Sequence, residues 1–326
     1  MDNKTIYKKT LGFSVRRLLF DLLSIVVLAG LAALGYFIAE KVSANSGLIG
    51  LLIGVVVGVV IMAIILRFVS YTLKAGQIAM MTKAITEGEL PDNVIAEGKK
   101  AVKERFATVA IYFAATRLIK GIFNQLGRAI TGAAQRIGGD AGGAVGDAVN
   151  TVIQTIISYL CDCCLGWVFY RKDTNAAKAT CEGAVLFFKH GKTFAKNMGR
   201  VFGIGLLTLL LIGGAFAGVF YLILSIPTIN TALQPIYAKI AESSSGNEGW
   251  LNRILENQAT LPIALSVIGG IIIWAFIHST FIKPFVLAGV LRNYLESGMD
   301  DVPSESSFSI LDSKSPKFKK LHDQLQ

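Results

Sequence analysis

VSANSGLIGLLIGVVVGVVIMAIIL (residues 42–66) carries no charged side chain, and neither does VFGIGLLTLLLIGGAFAGVFYLILSI (residues 201–226). A helix of roughly 20 residues crosses the hydrocarbon core of a bilayer, so each stretch is long enough to span one. Composition agrees: 53% of the 326 residues are hydrophobic, 17% are charged, and the mean hydropathy is +0.56. A water-soluble protein built on a single core is excluded by this balance. The expected fold class is an all-α integral membrane protein of about six transmembrane helices with amphipathic interfacial helices.

Working outward, LLSIVVLAGLAALGYFIA (22–39) lies between Asp21 and Glu40 and follows Lys4, Lys8, Lys9, Arg16 and Arg17. It is longer than a signal-peptide apolar core and is read as a retained first helix. The spans are placed near 18–40, 46–70, 106–126, 148–170, 201–226 and 262–287. A basic N-terminus (1–17) precedes a membrane domain (18–298), and a polar cytosolic tail (299–326) follows it. Between the second and third spans, GELPD (Gly88–Asp92) breaks the chain and IAEGKKAVKERF forms a short amphipathic helix at the interface. Residues 106–126 contain Arg117 and Lys120, which leaves two readings open: a tilted span with those side chains snorkelling, or an interfacial helix.

Lys plus Arg total 32 against 22 acids, a net charge of +10. In a membrane protein such an excess is explained by retention of basic segments on the cytosolic side and by anionic headgroups. Nucleic acid is not an expected partner; membrane lipids are. Both termini are expected in the cytosol, with the host membrane left open. Two short echoes, Gly98-Lys99-x-x-x-Lys103 with Gly191-Lys192-x-x-x-Lys196 and AITEGELP with YLESGMDDVP, hint at an internal repeat.

No hydrolase elbow, phosphate loop, HExxH or dinucleotide fingerprint stands in a usable context, and only His190, His278 and His322 are present. The chain is therefore read as a non-enzyme with no cofactor and no metal. Gly50, Gly54 and Gly58 form a stripe at spacing four, and Gly214 and Gly218 a second pair. Small residues let membrane helices approach closely, either within the chain or between copies in a homo-oligomer. Cys161, Cys163 and Cys164 read first as small apolar packing, then as lipidation or redox sites, and last as metal ligands, because adjacent helical residues diverge by about 100°.

Asp162 is the most informative polar residue, since a carboxylate inside a span usually faces a cavity or a partner. Arg117, Lys120, His278 and Lys283 are the candidate partners. Aromatic faces can hold a quaternary ammonium, which makes Asp162, Trp274, His278 and Phe281 the candidate substrate-binding set.

AGQIAMMTKAITEGELPD (Ala75–Asp92), CDCC (Cys161–Cys164), ATCEGAVLFFKHGKTFAKNMGRV (Ala179–Val201) and the stretch from Leu261 to Asp301 occur in this order. Together they resemble the C-terminal half of the choline transporter-like membrane family, over residues 70–301. WVFYRKDTNAAKAT (Trp167–Thr180) matches that family's pattern only in part. The resemblance implies transport of a small organic cation or a lipid-related amine such as choline. The alternative reading is an oligomeric membrane scaffold or pore without substrate transport.

Overall fold

A computed structural model describes residues 1–43, 46–106, 116–125, 142–190, 201–244 and 260–324. Among these residues every regular element is helical. In chain order they are α1 (Asn3–Val42), α2 (Gly47–Thr86), α3 (Val94–Arg105), α4 (116–125), α5 (Gly142–Tyr170), α6 (Ala176–Lys189), α7 (Val201–Leu224), α8 (Pro227–Ser244), α9 (Leu261–Asp300), α10 (Ser309–Asp312) and α11 (Pro316–Asp323). Two compact units divide the chain: Met1–Met198 with Pro284–Gln326, and Gly199–Lys283. Three helices, α1, α7 and α9, are long and apolar enough to cross a membrane, and α2 carries a shorter apolar run, Ile49–Met62.

Local chemistry sets the helix starts. Asp2 caps α1 by accepting from the Thr5 N–H at 2.6 Å, Asn93 caps α3 through Ala96 at 3.1 Å, and Asn175 caps α6 through Lys178 at 2.7 Å. Each side-chain oxygen satisfies an amide that the first helical turn leaves unpaired. The GELPD break is a turn in which Gly88 adopts a φ of 79°, a left-handed conformation that favours glycine.

In the first unit, α1 and α2 change character along their length. The first turns of α1 bury Ile6, Thr10, Phe13 and Ser14, and the last turns of α2 bury Leu73, Ala75 and Ile78 to Met81. Gln77 donates to the Thr10 carbonyl at 3.3 Å and to Ser14 Oγ at 3.2 Å. Phe13 sits over the crossing of α2 and α3, where a Cβ on Gly98 would lie 2.9 Å from the Gly76 carbonyl oxygen. Further along, the same two helices expose Leu22, Leu23, Val26, Phe37 and Ile38 on α1, and Leu52, Ile53, Val56 and Val60 on α2. Apolar residues on the outside are the signature of a lipid-facing surface.

Close backbone approach holds the apolar parts of α1 and α2 together. A Cβ on Gly50 would collide with the Gly35 carbonyl, and one on Gly54 with the Leu31 carbonyl and, at 3.1 Å, with Ala32 Cα. Gly58 is less confined, meeting only Leu28 and Leu31 side chains. The hairpin is closed by Ser46, whose hydroxyl bonds the Ala39 carbonyl at 2.5 Å, and by Glu40, which accepts from the Gly47 N–H at 2.9 Å.

In the second unit, α7 packs on the first part of α9. A Cβ on Gly270 would strike the Gly213 carbonyl and would lie 2.8 Å from Ala217 N, whereas Gly214 and Gly218 have nothing within 4 Å. The close approach inside the chain therefore uses the stripe one residue before the expected pair, about 100° around the helix. Both helices contain a π turn, at Leu209–Gly213 and His278–Ile282. The second of these precedes Pro284, which cannot donate to the ladder and so forces it to widen upstream. Gly270→Leu should lower stability in detergent by about 2 kcal/mol or more, while Gly218→Leu should stay within about 0.5 kcal/mol. Thermal unfolding of the two variants measures the difference, and equal shifts would rule out packing through Gly213 and Gly270.

Three sequence expectations meet a different setting. The span expected over 148–170 is not among the three long apolar helices, and its described side chains include the buried Ile157, Leu160, Leu165, Val168 and Phe169. Of the span expected over 106–126, residues 107–115 and 126 lie outside the described residues. Its helix 116–125 buries Ile119, Ile122 and Phe123 and exposes Arg117 and Lys120. The expected polar tail is folded: Phe308, Leu311, Phe318 and Leu321 join Ile157, Leu160, Ala184 and Val185 in one apolar cluster with α4. Burying side chains of this size stabilises by about 2 kcal/mol each. Ser315 fixes the geometry by donating to Gln125 Oε1 at 2.5 Å while capping α11 through the Phe318 N–H at 3.1 Å.

Candidate functional site

The first unit holds the charged groups that sit deepest. Asp162, on α5, is almost fully buried, and its carboxylate lies 2.6 Å from Lys74 Nζ on α2. Arg17 on α1 is within electrostatic reach of both Asp162 and Asp21, and Asp21 is hydrogen-bonded to Ser70. Two cations and two carboxylates thus meet where the apolar halves of α1 and α2 give way to the packed halves. Lys74 is not one of the four partners considered from sequence for Asp162. Lys74 lies one helical turn before the buried stretch Ile78–Met81 of α2, beyond Arg67, which ends the uncharged run.

Four residues further along α5 the helices remain in contact, with Thr82 Oγ1 donating to the Gly166 carbonyl at 3.5 Å. Beyond this point α2, α3 and the end of α5 enclose a cleft of ≈ 520 Å³. Met80 and Phe169 line its apolar side, and Lys83, Glu87, Glu104, Arg105 and Lys172 its charged side. Lys83 reaches Glu87 at 3.5 Å and Lys172 reaches the same carboxylate at 3.8 Å. Arg105 is held by two carbonyls, Thr174 at 2.7 Å and Arg171 at 3.0 Å. Burial lowers the Arg105 pKa from its ordinary value, against the opposing pull of Asp173 and Glu182. This lining offers ion pairing on one side and apolar contact on the other.

Behind the cleft, the α5–α6 turn is tied by a buried acid. Glu182 is 1% exposed and accepts from Trp167 Nε1 at 3.0 Å, with Arg171 at 3.4 Å. Burial raises its pKa, while the Trp167 hydrogen bond and the Arg171 charge oppose the rise. Asp173 is held low by its hydrogen bond from Arg171. Tyr294, from the final part of α9, donates to the Gly183 carbonyl and seats that helix on α6.

The remaining candidates fall as follows. Trp274 and His278 belong to the second unit, their rings 4.9 Å apart, with Trp274 Nε1 donating to Thr208 Oγ1 at 3.2 Å. Phe281 is half-buried in the same unit, and Asp162 belongs to the first. The cysteines are free thiols, with Cys163, Cys164 and Cys181 buried. Burial pushes the Cys181 thiol up to about 12, the environment of an unreactive structural cysteine. Among the described residues no group of three His, Cys, Asp or Glu side chains converges on a metal-sized site. The echo at Gly191–Lys196 lies outside the described residues.

No family model matches the chain, and neither does any curated protein or solved structure. The reading of function therefore rests on the residues alone.

Proposed function

We propose that the chain is a non-catalytic membrane scaffold. Apolar helices anchor a folded helical domain, built from the first unit, on the cytosolic face of a bilayer. The observation that carries this reading is the change of environment along α1 and α2, from side chains buried in a packed domain to apolar side chains facing outward. A purely spanning helix would be apolar outside along its whole length. Basic residues at both ends of the first unit, from Lys4 to Arg17 and from Lys314 to Lys320, support placing it inside. In this reading the two apolar hairpins, α1 with α2 and α7 with α9, give four crossings. The segments at 106–126 and 148–170 then contribute to the domain. Both termini are cytosolic, and self-association uses faces such as that of Gly214 and Gly218, which are uncovered within the chain.

Thiol accessibility tests the topology. With the half-exposed Cys161 replaced by serine, Lys83→Cys and Lys317→Cys should react with an impermeant maleimide only after permeabilisation. Ser43→Cys, at the hairpin tip, should react in intact cells. Labelling of the domain cysteines in intact cells would overturn the assignment.

One observation favours a second reading, transport of a small organic cation: the buried Asp162 carboxylate, paired with the partly exposed Lys74 beside Arg17 and Asp21. A mobile cation could take the place of Lys74 on the carboxylate, a use to which intramembrane acids are commonly put. Saturable choline uptake into proteoliposomes that Asp162→Asn removes, with insertion intact, would establish transport and overturn the scaffold. The scaffold reading expects no saturable component in either protein.

A further inference from the structure

The segment 106–126 is puzzling as a span because of Arg117 and Lys120, and the folded C-terminus brings two more cations to the same place. A groove of ≈ 360 Å³ lies between α4 and α11, lined by Arg117, Leu118, Lys317, Lys320, Leu321 and Gln324. Three cations and an amide line it, with no carboxylate. Ile119, Ile122 and Phe123 of α4 join Phe318 and Leu321 of α11 in one apolar cluster, which holds the two helices on either side of the groove together. Lys317 and Lys320, three apart on α11, share one face, as do Arg117 and Gly121, four apart on α4. Gly121 leaves room for the lysine: a Cβ there would lie 2.8 Å from Lys317 Cδ and 2.8 Å from its Nζ.

Charge and chemistry together select the occupant. Carboxylates elsewhere in the domain sit beside cations: Glu87 by Lys83 and Lys172, Glu182 by Arg171, Asp301 by Lys189. No ion pair to a carboxylate is formed by Arg117, Lys317 or Lys320 among the described residues. Like charges gathered around a concave surface raise one another's potential and draw a multivalent anion. A guanidinium that can grip two oxygens, flanked by two ammonium groups, suits a phosphate better than a carboxylate. The chain carries helices able to cross a membrane, so the phosphates it meets at highest local concentration are those of lipids.

We propose that the groove of Arg117, Lys317, Lys320 and Gln324 binds the phosphate of an anionic phospholipid headgroup. Leu118, partly buried in the groove lining, meets the apolar part of the same lipid. This extends the scaffold reading by naming a ligand for the domain, but it stands apart from the thiol-labelling and uptake outcomes, since a transporter could carry the same groove.

Native mass spectrometry of the full chain in mild detergent, titrated with phosphatidic acid or phosphatidylcholine, tests it. The expected result is preferential retention of phosphatidic acid. The triple variant Arg117→Gln/Lys317→Gln/Lys320→Gln should lose on the order of a hundredfold in that affinity, at about a tenfold or smaller loss per cation. Its phosphatidylcholine adducts should be unchanged. All three side chains are exposed, so the fold is expected to survive, and Lys317→Arg/Lys320→Arg, which keeps the charge, should keep the preference. A control at the other end of the domain, Lys8→Gln/Lys9→Gln, should bind as the wild type does. Equal retention of both lipids by the wild type, or an unchanged preference in the triple variant, would overturn the proposal. Displacement of phosphatidic acid by inorganic phosphate would overturn the lipid assignment in favour of a soluble phosphate compound.

Discussion

Gly54→Ala is expected to part α1 from α2 and to destabilise the fold strongly. The added Cβ would meet the Leu31 carbonyl and Ala32 Cα. Both are backbone, and neither can turn aside as a side-chain end would. The helices must separate along the stripe, and the contacts made at Gly50 and Gly35 loosen with it. Overpacking of this kind costs about 3 kcal/mol. Hydrophobic burial offers no compensation in lipid, where separated helices lose packing that acyl chains replace only in part. Gly58→Ala should lose less than about 1 kcal/mol, because its neighbours are the flexible ends of Leu28 and Leu31. Gly30→Ala, with nothing within 4 Å, should change stability by no more than about 0.5 kcal/mol. The three are ranked by unfolding the purified protein in a mixed detergent series. A uniform response would show that the stripe is not the contact. Gly54 is accordingly a poor probe of self-association, since its replacement acts inside the chain first.

The ranking shows what a stripe reveals and what it hides. Spacing of four marks Gly50, Gly54 and Gly58 as a packing face, but the partner surface of Gly35 and Leu31 is one glycine in an ordinary apolar run, and no pattern singles it out. On α7 the visible pair was Gly214 and Gly218, while contact is made by Gly213, whose small neighbour in the stripe is Ala217. An alanine serves as well as glycine there, so counting glycines alone misses the face used inside the chain.

The membrane class was legible because a water-soluble fold seldom has room to bury an uncharged run of spanning length on every side. The break at GELPD and the amphipathic α3 were legible from local chemistry. The folded C-terminus was readable in principle: Phe308 with Leu311 and Phe318 with Leu321, each three apart, are the core-facing repeat of short helices. Surrounding lysines and serines made the segment look like a solvated tail. The Lys74–Asp162 pair was less accessible, because it depends on which helices cross and at what depth. The company of Arg117 was not legible either, because Lys317 and Lys320 of α11 lie almost two hundred residues away in sequence.

The second large effect is at Glu182. Glu182→Ala removes the acceptor of a fully buried indole N–H and the inner partner of Arg171, which keeps only Asp173 at 3.1 Å. Leaving a buried donor unsatisfied and a mostly buried cation half-paired costs about 3 kcal/mol. Trp167 also packs beneath Gly298, where a Cβ would lie 2.9 Å from its Cη2, so loosening the ring disturbs the seat of the last helix as well. Glu182→Gln behaves differently. Its amide oxygen still accepts from Trp167, and no charge has to be buried. Burial raises the Glu182 pKa above its ordinary 4.5, the sign of an ionised form disfavoured by folding. Its stabilising contribution is therefore complete below that ordinary value and is lost as the pH climbs through the raised folded value. Lys178 and Arg171 moderate the loss and Asp173 adds to it, without reversing its direction. Asp173 and Asp301, both held low by hydrogen bonds from basic side chains, act in the opposite sense and only at more acid pH, below their ordinary 3.8. Midpoints measured from about pH 5 to about pH 8 should fall for the wild type as Glu182 ionises and stay flatter for Glu182→Gln. The alanine variant should lie well below both at every pH. A wild-type slope retained in Glu182→Gln would assign the titration to another group, and an alanine variant as stable as the wild type would remove Glu182 from the structural core of the domain.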